Sequence, residues 1–587
     1  MNHKILINPI LKNPVLFIFL YIIINIPVCI FWVMQYFPNF KYVLLSVPIT
    51  SFTAYIFTTI ASLISVSKVF IYIVIYILSI FEAYLILNFG TRFSPTIFQL
   101  IAETTPNEVE GFFTTYLFTP QSLIYTIIAT ILAAINVFVE RSQFVKNLVS
   151  NFVYRFVYRF SILVSFLILF CGALSIYRDV RFVHCLLVYP YTEVPDKISS
   201  HTYGTKFTTF GNIIFAGYMY NSTSNDADRL AETMAGISNV TANYTSKNVV
   251  FILGESFNKY HSSLYGYSLP TNQFLEKEKN NLFVMSDVVS PHNTTSKCLR
   301  KLFSFSNQDN NLYWATTPLF PALYKYVGYN VSYLSNQESL QSSENIFDVM
   351  NNSFVNELTI PYLYDYVNSN VYDFDMDLVK EYERIKQDTD TNSPKLVVFH
   401  LIGQHMGYNN RYPESDVIFT KQDYQHRTDL NDAQKEMVAH YDNATCYNDK
   451  VVSSIIDLFR NEDAVVVYLS DHSDEVYDYR DYIGRSYEAI ITKGRAMYQY
   501  EVPFMIWVSD KYKERHPCMI DKLSKSINRP FMTDDLPHLM LELAGIKYNL
   551  FDPTRSLIND QYNAGRKRLL GDTKQDYDEI IESTTFE

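Results

Sequence analysis

The first third of the chain contains apolar segments that are long enough to cross a membrane. Five of them occur within roughly the first 180 residues, whereas the rest of the 587-residue chain is polar and acidic. They run from about Pro14 to Phe37, Tyr42 to Val66, Val69 to Phe89, Gln121 to Phe138 and Phe160 to Ile176. A transmembrane helix requires about 20 mainly apolar residues. The pattern predicts an all-α membrane domain of five transmembrane helices over residues 1–180.

Basic residues are distributed unevenly among the connecting segments. Those between the fourth and fifth spans are Arg141, Lys146, Arg155 and Arg159. The segment 90–120 contains one basic residue, Arg92, and several acids. Because positively charged loops stay in the cytoplasm, we expect everything after the fifth span to lie outside, in the periplasm of a bacterium with two membranes. The first span follows a short N-terminus without a small-residue cleavage site, which indicates a retained inner-membrane anchor.

The remainder of the chain divides into a linker and a second domain. Residues 181–246 contain Ser/Asn/Thr clusters and predict a periplasmic linker with interfacial helices. From residue 247 to 587, predicted strands and helices alternate, as in an α/β domain. The formal net charge of -12 argues against a nucleic-acid-binding protein. The six cysteines include no CxxC motif, so a cysteine-based zinc site is not expected.

Three predicted strands end in side chains that can bind a metal ion. The clear strands are Asn248–Leu253, Leu396–His400, Ala464–Leu469 and Val502–Val508. The donors at the first three ends are Glu255, then His400 and His405, then Asp471 and His472. Because ligands of open α/β sheets bind at the carboxyl ends of the strands, we expect these side chains to meet. Carboxylate and imidazole donors suit Zn²⁺ or Mn²⁺ better than Ca²⁺.

A turn rich in hydroxyl groups precedes a predicted helix within residues 288–304. It contains Thr294 and Thr295, followed directly by the helix. Backbone amides at a helix N-terminus stabilise an anion, so the turn is a candidate nucleophile site. An ordinary Asn/Thr helix cap explains the same residues equally well. The residues alone leave both interpretations open.

The combination of five spans with the motifs GES, SPHNTT, HLIGQH and SDH resembles the phosphoethanolamine transferases of Gram-negative bacteria. These include the lipid A enzymes behind polymyxin resistance. The resemblance covers essentially the whole chain and implies the alkaline phosphatase/sulfatase fold for residues 247–587. It also implies transfer from phosphatidylethanolamine to lipid A phosphate or a core sugar of lipopolysaccharide. We expect a monomer at the bilayer with no nucleic-acid partner.

The same resemblance assigns roles to individual residues. The implied Zn²⁺ ligands, with Mn²⁺ as the alternative ion, are Glu255, Thr295, Asp471 and His472. Thr295 is the implied nucleophile of a covalent intermediate because it lies nine residues before Ser304, and Thr294 is the fallback. His405 is the implied contact to the substrate phosphate and general acid. His400 matches the first histidine of the same motif and is a further implied substrate-binding residue.

The resemblance also extends to the segment between the third and fourth spans. Thr104 and Glu108 match a Thr-x-x-x-Glu pair near the headgroup of the lipid donor. On the residues alone, this segment is a helix start close to the outer membrane surface or an ordinary solvated loop.

Three departures from the family pattern are present. Many relatives have a further histidine about a dozen residues after SDH, but residues 481–488 contain none. Lipid A members bracket the nucleophile with a disulfide, whereas only Cys298 is nearby here. The Gly-Glu that commonly follows SDH is replaced by Ser473-Asp474-Glu475. Together with residues 476–478 and 500–504, these features are closer to the branch that modifies core sugars. The missing histidine weakens the case for a second zinc ion and for a proton donor at that position.

Other functions fit parts of the pattern. A phosphoglycerol transferase of the lipoteichoic-acid-synthase kind has similar spans, a threonine nucleophile and the same fold. A sulfatase is disfavoured because residues 298–302 lack the Cys/Ser-x-Pro-x-Arg pattern. A non-catalytic membrane sensor with a degenerate domain is the alternative from a different class. The intact Glu255, Thr295, Asp471 and His472 argue against such a sensor.

Overall fold

The computed structural model organises the chain into two compact units. The described residues are 3–36, 41–64, 67–89, 92–93, 120–188, 209–211, 213–214, 217–218, 226–337, 358–386, 393–486 and 490–583. The first unit is built from the N-terminal helices. The second contains the described residues from 226 to 485 and from 491 onward.

The first unit is all-α. Its helices are α1 (His3–Lys12), α2 (Pro14–Tyr36), α3 (Lys41–Leu63), α4 (Ser67–Phe89), α5 (Pro120–Arg141), α6 (Gln143–Arg159) and α7 (Ser161–Val188). Among the described residues, four helices are long and apolar enough to cross a membrane, namely α2, α4, α5 and α7. The predicted second span coincides with α3, which contributes a shorter apolar helix at Val47–Leu63. The predicted count of five spans is therefore not confirmed.

The basic segment between the fourth and fifth predicted spans is itself helical. Ser142 caps α6, and its side chain accepts a hydrogen bond from the Val145 amide at 3.4 Å. Val153 and Val157 are buried on one face, whereas Phe144 and Phe152 are exposed. An amphipathic helix with basic residues on its polar side is typical of the membrane interface.

The interior of the first unit contains a buried ion pair. Glu82 and Arg92 are 1% and 4% exposed and lie 2.5 Å apart. The Thr209 hydroxyl also donates to Glu82. Ionisable side chains among apolar helices are costly unless they are paired, and this pair supplies the mutual compensation.

The second unit is built around a seven-stranded sheet. Its strands are β1 (Asn248–Gly254), β2 (Leu282–Met285), β3 (Asn330–Ser335), β4 (Tyr366–Val367), β5 (Lys395–His400), β6 (Ala464–Ser470) and β7 (Phe504–Val508). The spatial order is β2-β7-β6-β1-β5-β3-β4. The five strands from β6 to β4 are mutually parallel, and β7 is antiparallel to both of its neighbours. The four strands predicted from the sequence are confirmed to within two residues.

Helices cover both faces of this sheet. They are α8 (Asp226–Ala235), α9 (Thr295–Phe303), α10 (Phe320–Tyr326), α11 (Ile360–Leu363), α12 (Met376–Lys386), α13 (Asp432–Phe459), α14 (Lys493–Arg495), α15 (Asp510–Arg515), α16 (Pro517–Ser526), α17 (Leu536–Ala544) and α18 (Tyr577–Glu582). Phe251 of β1 packs in one core with Leu299 of α9, and Ile252 packs in the other core with Ile455 of α13. Burial on both faces explains why the parallel strands are continuous apolar runs.

Part of the predicted linker belongs to the second unit. Leu230 and Met234 of α8 are buried in the core shared with β1. The Asp226 carboxylate accepts a hydrogen bond from the Tyr313 hydroxyl at 2.8 Å. The helix therefore continues the α/β unit upstream of residue 247.

Candidate metal centre and nucleophile

The register of two central strands brings the predicted metal ligands together. Gly254 of β1 pairs with Ser470 of β6, so Glu255 and Asp471 leave the sheet side by side. A side chain would not fit at Gly254 without a shift of Tyr468, because a Cβ atom there would lie 2.5 Å from the Tyr468 hydroxyl. The Asp471 amide donates to the Gly254 carbonyl at 3.1 Å, which extends the pairing by one residue.

Glu255, Asp471 and His472 form a buried cluster whose ligand atoms all lie within 4.8 Å of one another. His472 Nε2 is 3.3 Å from Glu255 Oε1 and 3.2 Å from Asp471 Oδ2. Each of the three residues is 0% exposed. Two carboxylates and one imidazole that converge out of solvent are stabilised by a nearby positive charge, and this group of side chains could hold a metal ion.

Asp471 shows how the site fits a metal ion. Its Oδ1 accepts hydrogen bonds from the Ser256 and His472 amides at 3.2 and 2.7 Å. Its Oδ2 is buried without a hydrogen-bond partner among the described residues and faces the cluster. A buried carboxylate oxygen left without a donor is what an absent cation would satisfy. The donor set of carboxylates, imidazole and hydroxyl fits Zn²⁺ or Mn²⁺.

The pKa values of the two carboxylates in the cluster are shifted in opposite directions. Burial raises the pKa of Asp471 to about 7, and the neighbouring Glu255 charge raises it further. Burial also opposes ionisation of Glu255, but His472, His405 and Arg485 together hold its pKa well below its ordinary value. Neighbouring carboxylates behave in this way when they compete for one positive charge.

The threonine turn delivers one hydroxyl to this cluster. Thr295, the first residue of α9, places Oγ1 3.2 Å from Glu255 Oε2 and 3.1 Å from His472 Nε2. Thr295 is half-buried. Thr294 is 3% exposed, and its hydroxyl contacts no hydrogen-bond partner among the described residues. The geometry therefore favours Thr295 over Thr294 as the metal-facing residue.

Hydrogen bonds hold the turn in shape. The Ser290 hydroxyl and the Cys298 thiol both donate to the His292 carbonyl, at 2.6 and 3.1 Å. The Asn293 amide group donates to Gln499 Oε1 at 3.2 Å. All six cysteines of the chain are free, and Cys298 is buried. A thiol hydrogen bond thus stands where relatives were expected to have a disulfide.

The two histidines after β5 have different environments. His400 is 1% exposed and its Nδ1 contacts the Tyr333 hydroxyl at 2.8 Å. Burial lowers the pKa of His400 to about 4, although Glu255 opposes the shift. His405 is half-buried and close enough to lower the pKa of Glu255. His405 is thus partly accessible near Glu255, whereas His400 is enclosed beside Tyr333.

The loop that carries His405 is pressed against Glu255. Gly403 has a φ of +49°, and a Cβ atom there would lie 3.0 Å from both the amide nitrogen and the carbonyl oxygen of Glu255. The Gln404 amide donates to the Glu255 carbonyl at 3.0 Å. The positive φ and the close contact both favour glycine at this position, and the tight approach restrains the backbone of Glu255, a candidate metal ligand.

Thr104 and Glu108 lie outside the described residues. Their proposed role at the lipid headgroup stays a prediction.

A second buried network supports the loops behind the cluster. His261 Nδ1 lies 2.6 Å from Asp442 of α13, and its Nε2 lies 3.2 Å from Asp478. The Asn258 amide group donates to the Asp474 carbonyl and to Asp478, both at 3.1 Å. These contacts join the segment after β1 to the segment after β6.

Arg485 is a site residue that sequence reasoning missed. Its Nη1 is 2.5 Å from His472 Nε2, and its Nε is 3.0 Å from Asp474 Oδ1. Its side chain is 10% exposed. The only signal in the sequence was negative, because the region showed no histidine. A basic residue in a loop without strand periodicity gives no pattern that points to a site.

Comparison with known proteins identifies the second unit. Residues 247–546, slightly more than half of the chain, match the family model described as Sulfatase. The chain therefore belongs to the sulfatase family. Residues 49–192 match a second family model, described as Phosphoethanolamine transferase EptA/EptB. The predicted resemblance to phosphoethanolamine transferases is thereby confirmed.

Individual relatives agree with this assignment. Phosphoethanolamine transferase EptC of Escherichia coli (strain K12) is 30% identical over 326 residues, which are 54% of this chain and 54% of that protein. The chain thus spans about half the length of the curated relatives it matches.

Two solved structures extend the comparison. The C-terminal periplasmic domain of EcEptC from Escherichia coli, crystallised as a complex with Zn, is 28% identical with a TM-score of 0.50. That match covers 60% of this chain and 98% of the other. The integral membrane protein lipooligosaccharide phosphoethanolamine transferase A from Neisseria meningitidis covers 93% of this chain and 98% of its own, with 17% identity and a TM-score of 0.62. The second likeness shows a shared fold.

Proposed function

We propose that this protein transfers phosphoethanolamine from phosphatidylethanolamine to a lipopolysaccharide acceptor. The observation that carries the proposal is the position of Thr295, whose hydroxyl is 3.1 Å from His472 and 3.2 Å from Glu255 at the start of a helix. Curated relatives carry the name phosphoethanolamine transferase. A chain that carries both a membrane unit and a phosphoryl-transfer site suits a reaction in which both substrates are lipids.

Glu255, Thr295, Asp471 and His472 would hold one Zn²⁺, with Mn²⁺ as the alternative. The C-terminal domain of the E. coli relative was crystallised with zinc, and the buried Asp471 oxygen that has no donor among the described residues supports the same site here. When bound, the ion lowers the pKa of the threonine hydroxyl and offsets phosphoryl charge. A free threonine hydroxyl is a weak nucleophile at neutral pH, so this activation is needed.

The protein groups supply the remaining chemistry. Thr295 Oγ attacks the donor phosphorus, the bond from phosphorus to the diacylglycerol oxygen breaks, and phosphoethanolamine remains on the threonine. The Thr295 proton lies within reach of Glu255 Oε2 at 3.2 Å. His405 would act as the general acid that protonates the departing diacylglycerol oxygen. An acceptor hydroxyl or phosphate oxygen then attacks the same phosphorus, the bond from phosphorus to Thr295 Oγ breaks, and the proton taken up by Glu255 returns to Thr295. The proton of an acceptor hydroxyl passes to His405, which is neutral after the first step.

The acceptor and the location belong to the proposal as well. The acceptor is lipid A phosphate or a core sugar, the protein is a monomer, and it resides in the inner membrane with its second unit in the periplasm. The four long apolar helices and the periplasmic domain of the E. coli relative support this location. Mass spectrometry of lipopolysaccharide from deletion and wild-type strains would identify the modified group.

The experiment that tests the proposal detects the covalent intermediate. Purified protein is incubated with phosphatidylethanolamine and no acceptor, and the peptide containing Thr294 and Thr295 is examined by mass spectrometry. We expect one phosphoethanolamine per protein molecule on Thr295. Thr295→Ala should abolish the adduct, and Thr294→Ala should retain most of it.

The outcomes separate the alternatives. An adduct that survives Thr295→Ala and disappears in Thr294→Ala moves the nucleophile by one residue. Transfer without any adduct favours direct displacement between the two lipids. Loading from phosphatidylglycerol in place of phosphatidylethanolamine would identify a phosphoglycerol transferase.

A further inference from the structure

The positively charged guanidinium of Arg485 lies against the cluster of Glu255, Asp471 and His472. Its side chain is nine-tenths buried and lies with the acids Glu255, Asp471 and Asp474. One divalent ion would balance Glu255 and Asp471 only. A buried site with a third carboxylate would then be net negative and would repel an anionic phosphodiester. Arg485 restores neutrality before the substrate arrives.

The guanidinium is oriented by its contacts. Asp474 Oδ1 holds Nε at 3.0 Å, and the other oxygen of Asp474 accepts a hydrogen bond from the Tyr408 hydroxyl at 3.1 Å. Asp474 is 1% exposed, so neighbouring side chains restrict the movement of its carboxylate. A planar guanidinium fixed along one edge points its remaining N–H groups in a defined direction.

That direction is toward the nucleophile. Arg485 Nη1 lies 2.5 Å from His472 Nε2, and the same nitrogen of His472 lies 3.1 Å from Thr295 Oγ1. Because both contacts share one atom, a phosphoryl group attached to Thr295 would lie within hydrogen-bond reach of Nη1. A salt bridge with Asp474 alone would not require Nη1 to enter the metal cluster.

We propose that Arg485 is the phosphate-binding residue of this site, holding the non-bridging oxygens of the phosphodiester donor and of the phosphorylated Thr295. The inference rests on the proposed function, since it presumes a phosphoryl group at Thr295. Arginine is suited to the task because its N–H groups match two phosphate oxygens at once and its charge persists at every physiological pH.

The test measures phosphate binding and zinc content separately from activity. Zinc-loaded full-length protein in detergent is titrated with inorganic phosphate by calorimetry. We expect Arg485→Gln to weaken phosphate binding by about 10–100-fold, the range for losing charge-assisted hydrogen bonds. Arg485→Lys keeps the positive charge but loses the planar set of N–H donors, so it should weaken phosphate binding less than Arg485→Gln does. Both variants should keep one zinc per chain.

A matched control is Arg515→Gln, which removes an arginine that is 62% exposed and paired with Asp463. It should bind phosphate as the wild type does. Unchanged phosphate affinity in Arg485→Gln and Arg485→Lys would overturn the inference. Loss of zinc from both variants would also overturn it, since Arg485 would then support the metal site instead.

The inference and the proposed function fail in different ways. If the wild type binds phosphate through Arg485 but forms no phosphoethanolamine adduct, the transferase proposal fails and the anion site stands. If the adduct forms at the wild-type rate in Arg485→Gln, the arginine has no part in the reaction.

Discussion

At the scale of single residues, a substitution at Asp471 distinguishes a metal ligand from an ordinary buried aspartate. Asp471→Ala removes the oxygen that faces the cluster, so we expect bound zinc and transfer activity to disappear together. Zinc content is measured by inductively coupled plasma mass spectrometry on purified protein. Full metal occupancy in this variant would contradict the ligand assignment.

Asp449 provides the matched control. It is also a buried aspartate, and burial raises its pKa to about 7. Its carboxylate accepts hydrogen bonds from the Phe274 and Leu275 amides at 2.7 and 3.2 Å, outside the cluster. Asp449→Ala should therefore lower stability, by about 1–3 kcal/mol for the unpaired amides, while zinc content stays unchanged.

Residue patterns predicted that the candidate ligands Glu255, Asp471 and His472 would meet, because each of these three follows directly from a strand. Glu255 and the pair Asp471–His472 come after continuous apolar runs, and parallel strands end at a common edge. Arg485 follows no such run and reaches the cluster through a loop. Its position depends on Asp474, which folds back toward it, and contacts of this kind are set by tertiary structure alone.

At the scale of elements, His261 links the segment after β1 to α13. Burial lowers the pKa of His261, but Asp442 and Asp478 outweigh burial and raise it to about 10. The folded value lies above the unfolded value of about 6.5, so the stabilisation is complete below pH 6.5 and is lost as the pH rises through 10. The effect is on the order of a few kcal/mol.

We therefore expect the wild type to lose thermal stability between pH 7 and 10 more steeply than His261→Gln. Thermal unfolding midpoints at several pH values, followed by tryptophan fluorescence, provide the measurement. The difference between the two proteins isolates His261 from other titrating groups. Parallel pH profiles would show that the charge of His261 does not stabilise the fold.

Some helices and strands could not be predicted from the periodicity of apolar residues in the sequence. The helix α13 has 28 residues, but its buried side includes polar residues such as Asp442, Asn443 and Asp449, which interrupt the apolar pattern. Strand β3 mixes polar and apolar residues without regular alternation, and β4 has only two residues. Long apolar strands were predictable, whereas short or polar-lined elements depend on partners distant in the sequence.

At the scale of the whole molecule, the number of membrane crossings determines which side each end occupies. Five crossings place the N-terminus and the second unit on opposite sides, whereas four crossings place them on the same side. The helix α3 decides between these arrangements, since its described apolar part, Val47–Leu63, is shorter than the other candidates. The basic residues of α6 favour a cytoplasmic position for that helix.

We expect a reporter that is active only in the periplasm to be active after Glu587 and inactive before Met1. The basic segment from Arg141 to Arg159 should be inaccessible from the periplasmic side. The measurement is reporter activity in intact cells. Activity of a strictly cytoplasmic reporter after Glu587 would contradict the five-span topology, and equal activity at both ends would show that α3 does not cross.

The free thiol of Cys298 has a consequence for biogenesis. Two hydrogen bonds shape the threonine turn, since the Cys298 thiol and the Ser290 hydroxyl both donate to the His292 carbonyl. Hydrogen bonds form as the chain collapses, whereas disulfide exchange takes seconds to hours and requires an oxidant. At the proposed periplasmic location, assembly of the threonine turn would therefore not require thiol–disulfide oxidoreductases, and a shortage of oxidising capacity would leave this turn unaffected.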